Sequence, residues 1–243
     1  NGFLTFVRDE YQSQAVQAFT MRNIARGSFS IEHQGVLEET ADSIIVEIQD
    51  EDNDYRKRQI TCAFPDSPAQ KPREIKLFGI TNAARAKELG MFIAACNRYR
   101  RKLTPFETGI EGRIPFFGEK IAISHMLLGQ EGVKQVIGDV LAFNGINRIL
   151  VSEEIRASEF SNPHIVMTDL NGCEMPPFPI TVITPTELQV GGSPDWSQIQ
   201  FDGDCKNPMF IVGEGQQFVF RSKVKRLTRN GNVIGIESFI DDD

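Results

Sequence analysis

The sequence holds one tryptophan, three tyrosines and three histidines, and its four cysteines, Cys62, Cys96, Cys173 and Cys205, lie far apart with no C-x-x-C pair. That spacing gives no support to a zinc ribbon or a dithiol redox motif. Free thiols are the expected state, because a chain of 243 residues has no need of disulfide staples. His33, His125 and His164 have no second ligand type at metal spacing, so histidine-centred metal or catalytic chemistry is not indicated. No run approaches the ~20 apolar residues of a membrane helix. The first residues also lack the basic-then-apolar order of a signal peptide. The chain begins at Asn1 rather than Met, which suggests a processed product or an excised part of a longer protein. Positive charge is in short supply: 26 basic against 33 acidic side chains leave a net charge of −7. Broad, non-specific adhesion to nucleic acid or anionic membrane needs the opposite field.

Catalytic signatures are missing as well. There is no G-x-S-x-G elbow, no phosphate-binding G-x-x-x-x-G-K-[ST] loop and no dinucleotide fingerprint after a strand. Asp50 to Asp54 starts like a calcium loop, but Tyr55 stands at the sixth place and Thr61 at the twelfth, where Gly and a bidentate Glu are needed. This stretch, like Asp202, Asp204 and Asp241 to Asp243, reads as solvated acidic loop. Gly213-Glu214-Gly215 reads as a turn. Glu107 and Glu111 could be imagined as a glycosidase pair, although two acids beside a β corner are common. The run Arg98, Tyr99, Arg100, Arg101 and Lys102 interleaves an aromatic with cations, as nucleic-acid binders do, but cations are expected at a helix C-terminus. We therefore assign no catalytic, cofactor-binding or metal-ligating residue and expect no cofactor and no enzyme.

What is present is β-forming sequence around one long helix. Leu89, Phe92, Ile93, Cys96 and Tyr99 fall at helical spacing, Asn82 can cap the start, and the expected helix spans about 82–102. Strands are expected over residues 43–48, 60–64 and 74–78 before it. After it, Phe106, Thr108 and Ile110 alternate, a glycine-rich corner follows, and Ile121 and Ile123 resume the alternation. A short edge strand over residues 1–7, a helical turn or two over 12–19 and a strand over 28–31 complete the N-terminal reading. Further strands are expected over 132–137 and 140–150 around a Gly138-Asp139 turn, then over 164–168, 180–183, 186–190, 209–212 and 217–221. Asn230-Gly231 between two β-forming runs, 223–228 and 233–240, is the strongest hairpin cue. The fold class is mainly β (α+β), with barrels or sandwiches rather than a wound α/β sheet.

The order of these features resembles a known family. A-x-x-A-x-E-L over Ala83 to Leu89, N-R-x-R over Asn97 to Arg101, F-x-T-G-x-E-G over Phe106 to Gly112 and I-P-x-x-G-E-x-I-x-I over Ile114 to Ile123 are similar to the central hub or tip-attachment proteins of long-tailed bacteriophages, often called host-specificity proteins. Weaker likeness extends to Asn23 to Phe29 and the strand after Asp42 on one side, and to Phe210 to Gly213 and the Val224 to Glu237 hairpin on the other. Glu119 departs from the usual Asp after the glycine, which touches the turn chemistry, because Asp bonds its own backbone more readily. Pro115 would fix φ there and Gly118 would allow a positive one.

The resemblance implies β-barrel hub domains assembled as a homotrimer that closes the tail tube at the virion tail tip, after assembly in the bacterial host cytoplasm. Its partners would be further copies of itself, the tail tube, other baseplate or fibre proteins and a host surface receptor. A division into 1–102, ending in the helix, and 103–243, interleaved in space, fits that picture. Two other readings stand beside it. A carbohydrate- or receptor-binding β module would stack sugars on Trp196, and a cell-wall hydrolase would use Glu107 and Glu111.

Overall fold

A computed structural model describes residues 12–33, 41–125, 127–128, 134–145, 147–199, 207–216 and 218–240. The elements begin with β1 (Gln17–Thr20), β2 (Glu32–His33), β3 (Ser43–Asp50), β4 (Arg56–Cys62), β5 (Pro72–Lys76) and α1 (Ala83–Tyr99). They continue with β6 (Lys102–Thr108), β7 (Lys120–Ser124), β8 (Val136–Phe143), β9 (Arg148–Val151) and β10 (Pro163–Met167). β11 (Phe178–Thr184), β12 (Glu187–Val190), β13 (Met209–Glu214), β14 (Phe220–Asn230) and β15 (Val233–Ile240) close the chain. The fold is mainly β with a single α-helix among the described residues, as the sequence predicts. It divides into two compact units, one made of residues 1–31 and 104–240, the other of residues 32–103.

In the 32–103 unit, β3 lies between β4, antiparallel, and β5, parallel. Its alternating Ile44, Val46 and Ile48 are buried in a core shared with α1. The helix starts where expected: the Asn82 side chain accepts from the amides of Ala84 and Arg85 at 3.0 and 3.2 Å. Its end and its face differ from expectation. The helix stops at Tyr99 with Arg100 as cap, and Lys102 already opens β6. The fully buried stripe is Ala86, Gly90 and Ala94; of the expected Leu89–Tyr99 series, Ile93 packs at the edge of this core, Leu89 and Cys96 are half-buried, and Phe92 and Tyr99 are exposed. Small residues win because the helix lies very close to the sheet. A Cβ on Gly90 would stand 2.5 Å from Cys62 Sγ and 2.7 Å from Val46 Cγ2.

The other unit has two parts. An open sheet runs β1-β7-β14-β15-β6, and a closed barrel runs β10-β11-β12-β9-β8-β13. The barrel is inserted between β7 and β14. The open sheet is packed on Phe19, Phe106, Ile121, Ile123, Val224, Ile234 and Ile236, with the Phe19 and Phe106 rings 5.2 Å apart. The barrel is filled by Ile149, Ile165, Met167, Leu188, Phe210 and Val212. Small side chains, Ala15, Ala18 and Ala122, meet Met209 where the two parts join. The expected hairpin is present, with Asn230 paired to Val233 and Gly231 at φ +62°.

Several local expectations are corrected. Residues 17–20 form β1, not a helical turn, and pair in parallel with β7. Residues 28–31 are a loop that docks on β6 through the Ser30 amide and the Pro105 carbonyl, 3.1 Å apart. Gly138-Asp139 is not a turn. β8 runs straight through it, and Gly138 is small because a Cβ would meet Phe210 Cε1 and Ser152 Oγ at 2.6 Å each. Gly213 and Glu214 likewise lie in β13, where a Cβ on Gly213 would collide with the Phe218 ring. The strands expected over 217–221 and 223–228 are replaced by one, β14, which begins at Phe220 and has a register shift between Val224 and Arg226, Gln217 lying outside the described residues. The strand expected over residues 1–7 lies outside the described residues.

Candidate assembly surface

The turn between β6 and β7 is pinned from both ends. Thr108 Oγ1 donates to the Asn23 carbonyl at 2.6 Å. Gly112 is buried against β15, where a Cβ would fall 2.6 Å from Thr108 Cγ2 and 2.9 Å from Ile234 Cβ. Further on, the Gly118 amide donates to the Val224 carbonyl at 2.8 Å, with Gly118 at φ +81°. The Glu119 carboxylate reaches back to accept from the Phe116 amide at 2.8 Å, so the longer side chain still closes the turn. Held on this frame are Ile110, Ile114, Phe116 and Phe117, exposed by 73, 43, 61 and 57%. Four solvated apolar side chains on one corner make it the candidate contact surface.

Beside the corner, at the join of sheet and barrel, is a cavity of about 210 Å³ with Gln17, Ile114, Asp169, Leu170, Asn171 and Pro208 among its walls. The turn Asp169 to Gly172 forms one side. Asp169 Oδ1 accepts from the amides of Asn171 and Cys173, both at 2.8 Å, and the Gly172 amide donates to the Asp169 carbonyl at 3.0 Å. Gly172 has φ +81°, and a Cβ there would lie 2.6 Å from Gln17 Oε1. Glycine thus lets the turn close over the glutamine. Gln17 is only 6% exposed. Its Nε2 donates to the Ala18 carbonyl at 3.3 Å, while Oε1 accepts from no described group. The neighbouring Cys173 thiol is pushed up, first by burial and then by the charges of Asp169 and Glu119.

Glu174 is buried in the same unit, 3% exposed, with Arg221 Nε 3.6 Å from its Oε2. Burial raises its pKa, against the lowering pull of Arg221 and Lys120. Lys120 Nζ donates to the Gln12 carbonyl at 3.0 Å.

The structure separates the pairings that the sequence suggested. Glu107 lines a different depression, of about 520 Å³, together with Arg26 and Glu237, while Glu111 lines the cavity beside Gln17. Trp196 is stacked on Phe143 with centroids 4.2 Å apart, and its Nε1 donates to Asn147 Oδ1 at 2.8 Å. Arg98 donates to both Asp66 carboxylate oxygens at 2.7 and 2.6 Å and lies over the Phe64 ring at 4.9 Å. Arg100 lies 5.7 Å over Phe92, and Arg101 Nε donates to the helix-terminal Asn97 carbonyl at 3.1 Å. Asp50 accepts from the Asp52 amide at 3.2 Å and from Arg58 at 2.7 Å, a capping acid.

His33 lies in β2, opposite Lys102. His125 stacks on Phe29 at 4.0 Å, its pKa lowered by burial, and its Nδ1 accepts from the Leu127 amide at 3.2 Å. His164 is buried, with Nδ1 3.1 Å from the Asn162 carbonyl. Asp202, Asp204, Cys205 and Asp241 to Asp243 lie outside the described residues. Gln17 carried no sequence signal, whereas the adjacent Phe116 and Phe117 inside a Pro-Gly turn could have been flagged as too apolar for a loop. Among the described residues no helix is long and apolar enough to cross a membrane.

Residues 1–114 match a family model whose description reads "Putative phage tail protein". Over that stretch, which includes α1 and, of the apolar corner, Ile110 and Ile114, the chain is similar to phage tail proteins. Among solved structures it is similar to a chain from the virion of a native gene transfer agent particle, with a TM-score of 0.47 and 10% identity over 95% of this chain and 32% of that one. It is also similar to the tail protein from Neisseria meningitidis MC58, with a TM-score of 0.34 and 12% identity over 78% of this chain and 47% of that one. The chain therefore spans about a third of the first and less than half of the second. No curated protein matches the sequence.

Proposed function

We propose that this chain is a non-catalytic structural component of a phage or phage-derived tail: a central hub protein at the tail tip that closes the tube as a homotrimer and connects it to host-attachment parts. The observation that carries the reading is the fixed corner bearing Ile110, Ile114, Phe116 and Phe117, which presents an apolar surface that a solitary soluble protein has no use for. The family match over residues 1–114 supports the tail context, and that stretch ends within the corner. The barrel, closed on itself, leaves no strand edge to aggregate. A net charge of −7 suits a wall past which DNA must move without being held.

The competing readings find less support. With one Trp196 face on Phe143 and its ring nitrogen bonded, a sugar-stacking platform would need that packing undone. A glycosidase pair needs two carboxylates flanking one bond, and Glu107 and Glu111 line separate depressions. Mass photometry of the full-length parent protein tests the proposal. Trimers at nanomolar to micromolar concentration support it, and a monomer throughout that range argues against it.

A further inference from the structure

We propose that the cavity beside Gln17 receives a lysine or arginine side chain from a partner polypeptide of the tail assembly, with the aliphatic stem against Ile114, Leu170 and Pro208 and the cationic head at Gln17 Oε1 and Asp169. The inference rests on the assembly reading above and names the chemistry of one of its contacts. Three observations support it. Gln17 Oε1 is a buried acceptor with no donor among the described residues, an arrangement that costs free energy until a donor arrives. The Nε2 bond to Ala18 orients the amide, and its oxygen lies against the Asp169 to Gly172 turn, 2.6 Å from where a Gly172 Cβ would stand, in a residue that lines the cavity. Two carboxylates, Glu111 and Asp169, are among the residues lining the cavity and no Lys or Arg is, and Asp169 and Glu119 both push the Cys173 thiol up. An anionic ligand is thereby disfavoured.

A hydrated metal ion fits poorly against Ile114 and Leu170, whereas a basic side chain joins an apolar stem to a head with several donors. The volume of about 210 Å³ exceeds what one side chain needs, which leaves room for bridging water. The exposed corner lies on the same rim through Ile114, so a partner seated on Phe116 and Phe117 would present its basic residue to the cavity.

The test uses the full chain, labelled with nitrogen-15, and two probes: Nα-acetyl-lysine N-methylamide and its uncharged counterpart, Nα-acetyl-norleucine N-methylamide. The lysine probe should cause saturable NMR shifts at the Gln17 side-chain amide and at the Leu170 and Asn171 backbone, with a Kd of about 1–10 mM, as suits so small a ligand. The norleucine probe should bind at least tenfold more weakly. Asp169→Asn and Gln17→Met should each weaken the lysine probe at least fivefold. Absence of saturable shifts, or equal binding of the two probes, would overturn the inference without any variant having to fold. Equal lysine binding by both folded variants would overturn it too. If the probe fails while the parent protein still forms trimers, only the cavity assignment falls. If the parent is a monomer away from any particle, the assembly reading itself falls.

Discussion

The carboxylate of Glu119 accepts the backbone amide of Phe116 at 2.8 Å, closing the turn that carries Phe116 and Phe117 into solvent. Removing that acceptor by Glu119→Ala should cost about 1 kcal/mol, the net worth of one such hydrogen bond. Gly118→Ala should cost about 1–2 kcal/mol, because a side chain is forced to φ +81°. Urea unfolding measures both, and limited proteolysis after Phe116 and Phe117 should speed up in each variant.

The corner itself should be dispensable for folding. Phe116→Ser combined with Phe117→Ser removes two exposed rings, so unfolding free energy should stay within about 0.5 kcal/mol of the parent. Assembly of the full-length protein should weaken at least tenfold, as followed by mass photometry. A large loss of stability with unchanged assembly would mean that the rings belong to the fold and not to a contact.

Gly90→Ala sets two effects against each other. Alanine is the better helix former by about 1 kcal/mol. Its Cβ would, however, stand 2.5 Å from Cys62 Sγ and 2.7 Å from Val46 Cγ2, and overpacking of that kind costs about 1–3 kcal/mol. The net effect expected in urea unfolding is destabilising. Cys62→Ala in the same chain should recover part of the loss, whereas independent effects would simply add.

Glu174 gives a pH dependence of definite sign. Burial raises its folded pKa above the ordinary glutamate value, so the folded state holds the proton more tightly than the unfolded one. Its ionisation therefore opposes folding above the raised value, and the opposition fades as pH falls through that value towards 4.5. Asp50 and Asp66, both lowered chiefly by side-chain bonds to Arg58 and Arg98, act the other way and lose their stabilising effect on acidification. Comparing Glu174→Gln with the parent isolates the glutamate. The variant should be as stable or more stable at pH 7–8, and the difference should shrink towards pH 4.5. A variant less stable at neutral pH would mean that the ion pair with Arg221 outweighs desolvation.

Where a residue's environment is set by its chain neighbours, the sequence was informative. Asn82 caps α1 and Asn230-Gly231 turns the hairpin, because both effects act within a few residues. Pro115 and Gly118 marked the corner for the same reason. Distant partners were invisible. Residues 17–20 look helical locally but are fixed as a strand by β7, about a hundred positions away. Gly138 looks like a turn residue and is instead a strand residue making room for Phe210 and Ser152. The helix stripe was only partly placed, through Ile93, because apolar spacing marks bulk, whereas the close approach of α1 to β3 selects Ala86, Gly90 and Ala94. Gln17 and Glu174 carried no pattern at all, since what distinguishes them is burial beside a turn and beside an arginine brought in from elsewhere in the fold.

Electron microscopy of the intact parent particle tests the central claim most directly. The account predicts three copies of this chain around the end of the tail tube, with the Ile110 to Phe117 corner of each copy inside a protein contact. A single copy, or three copies whose corners all face solvent, would contradict it.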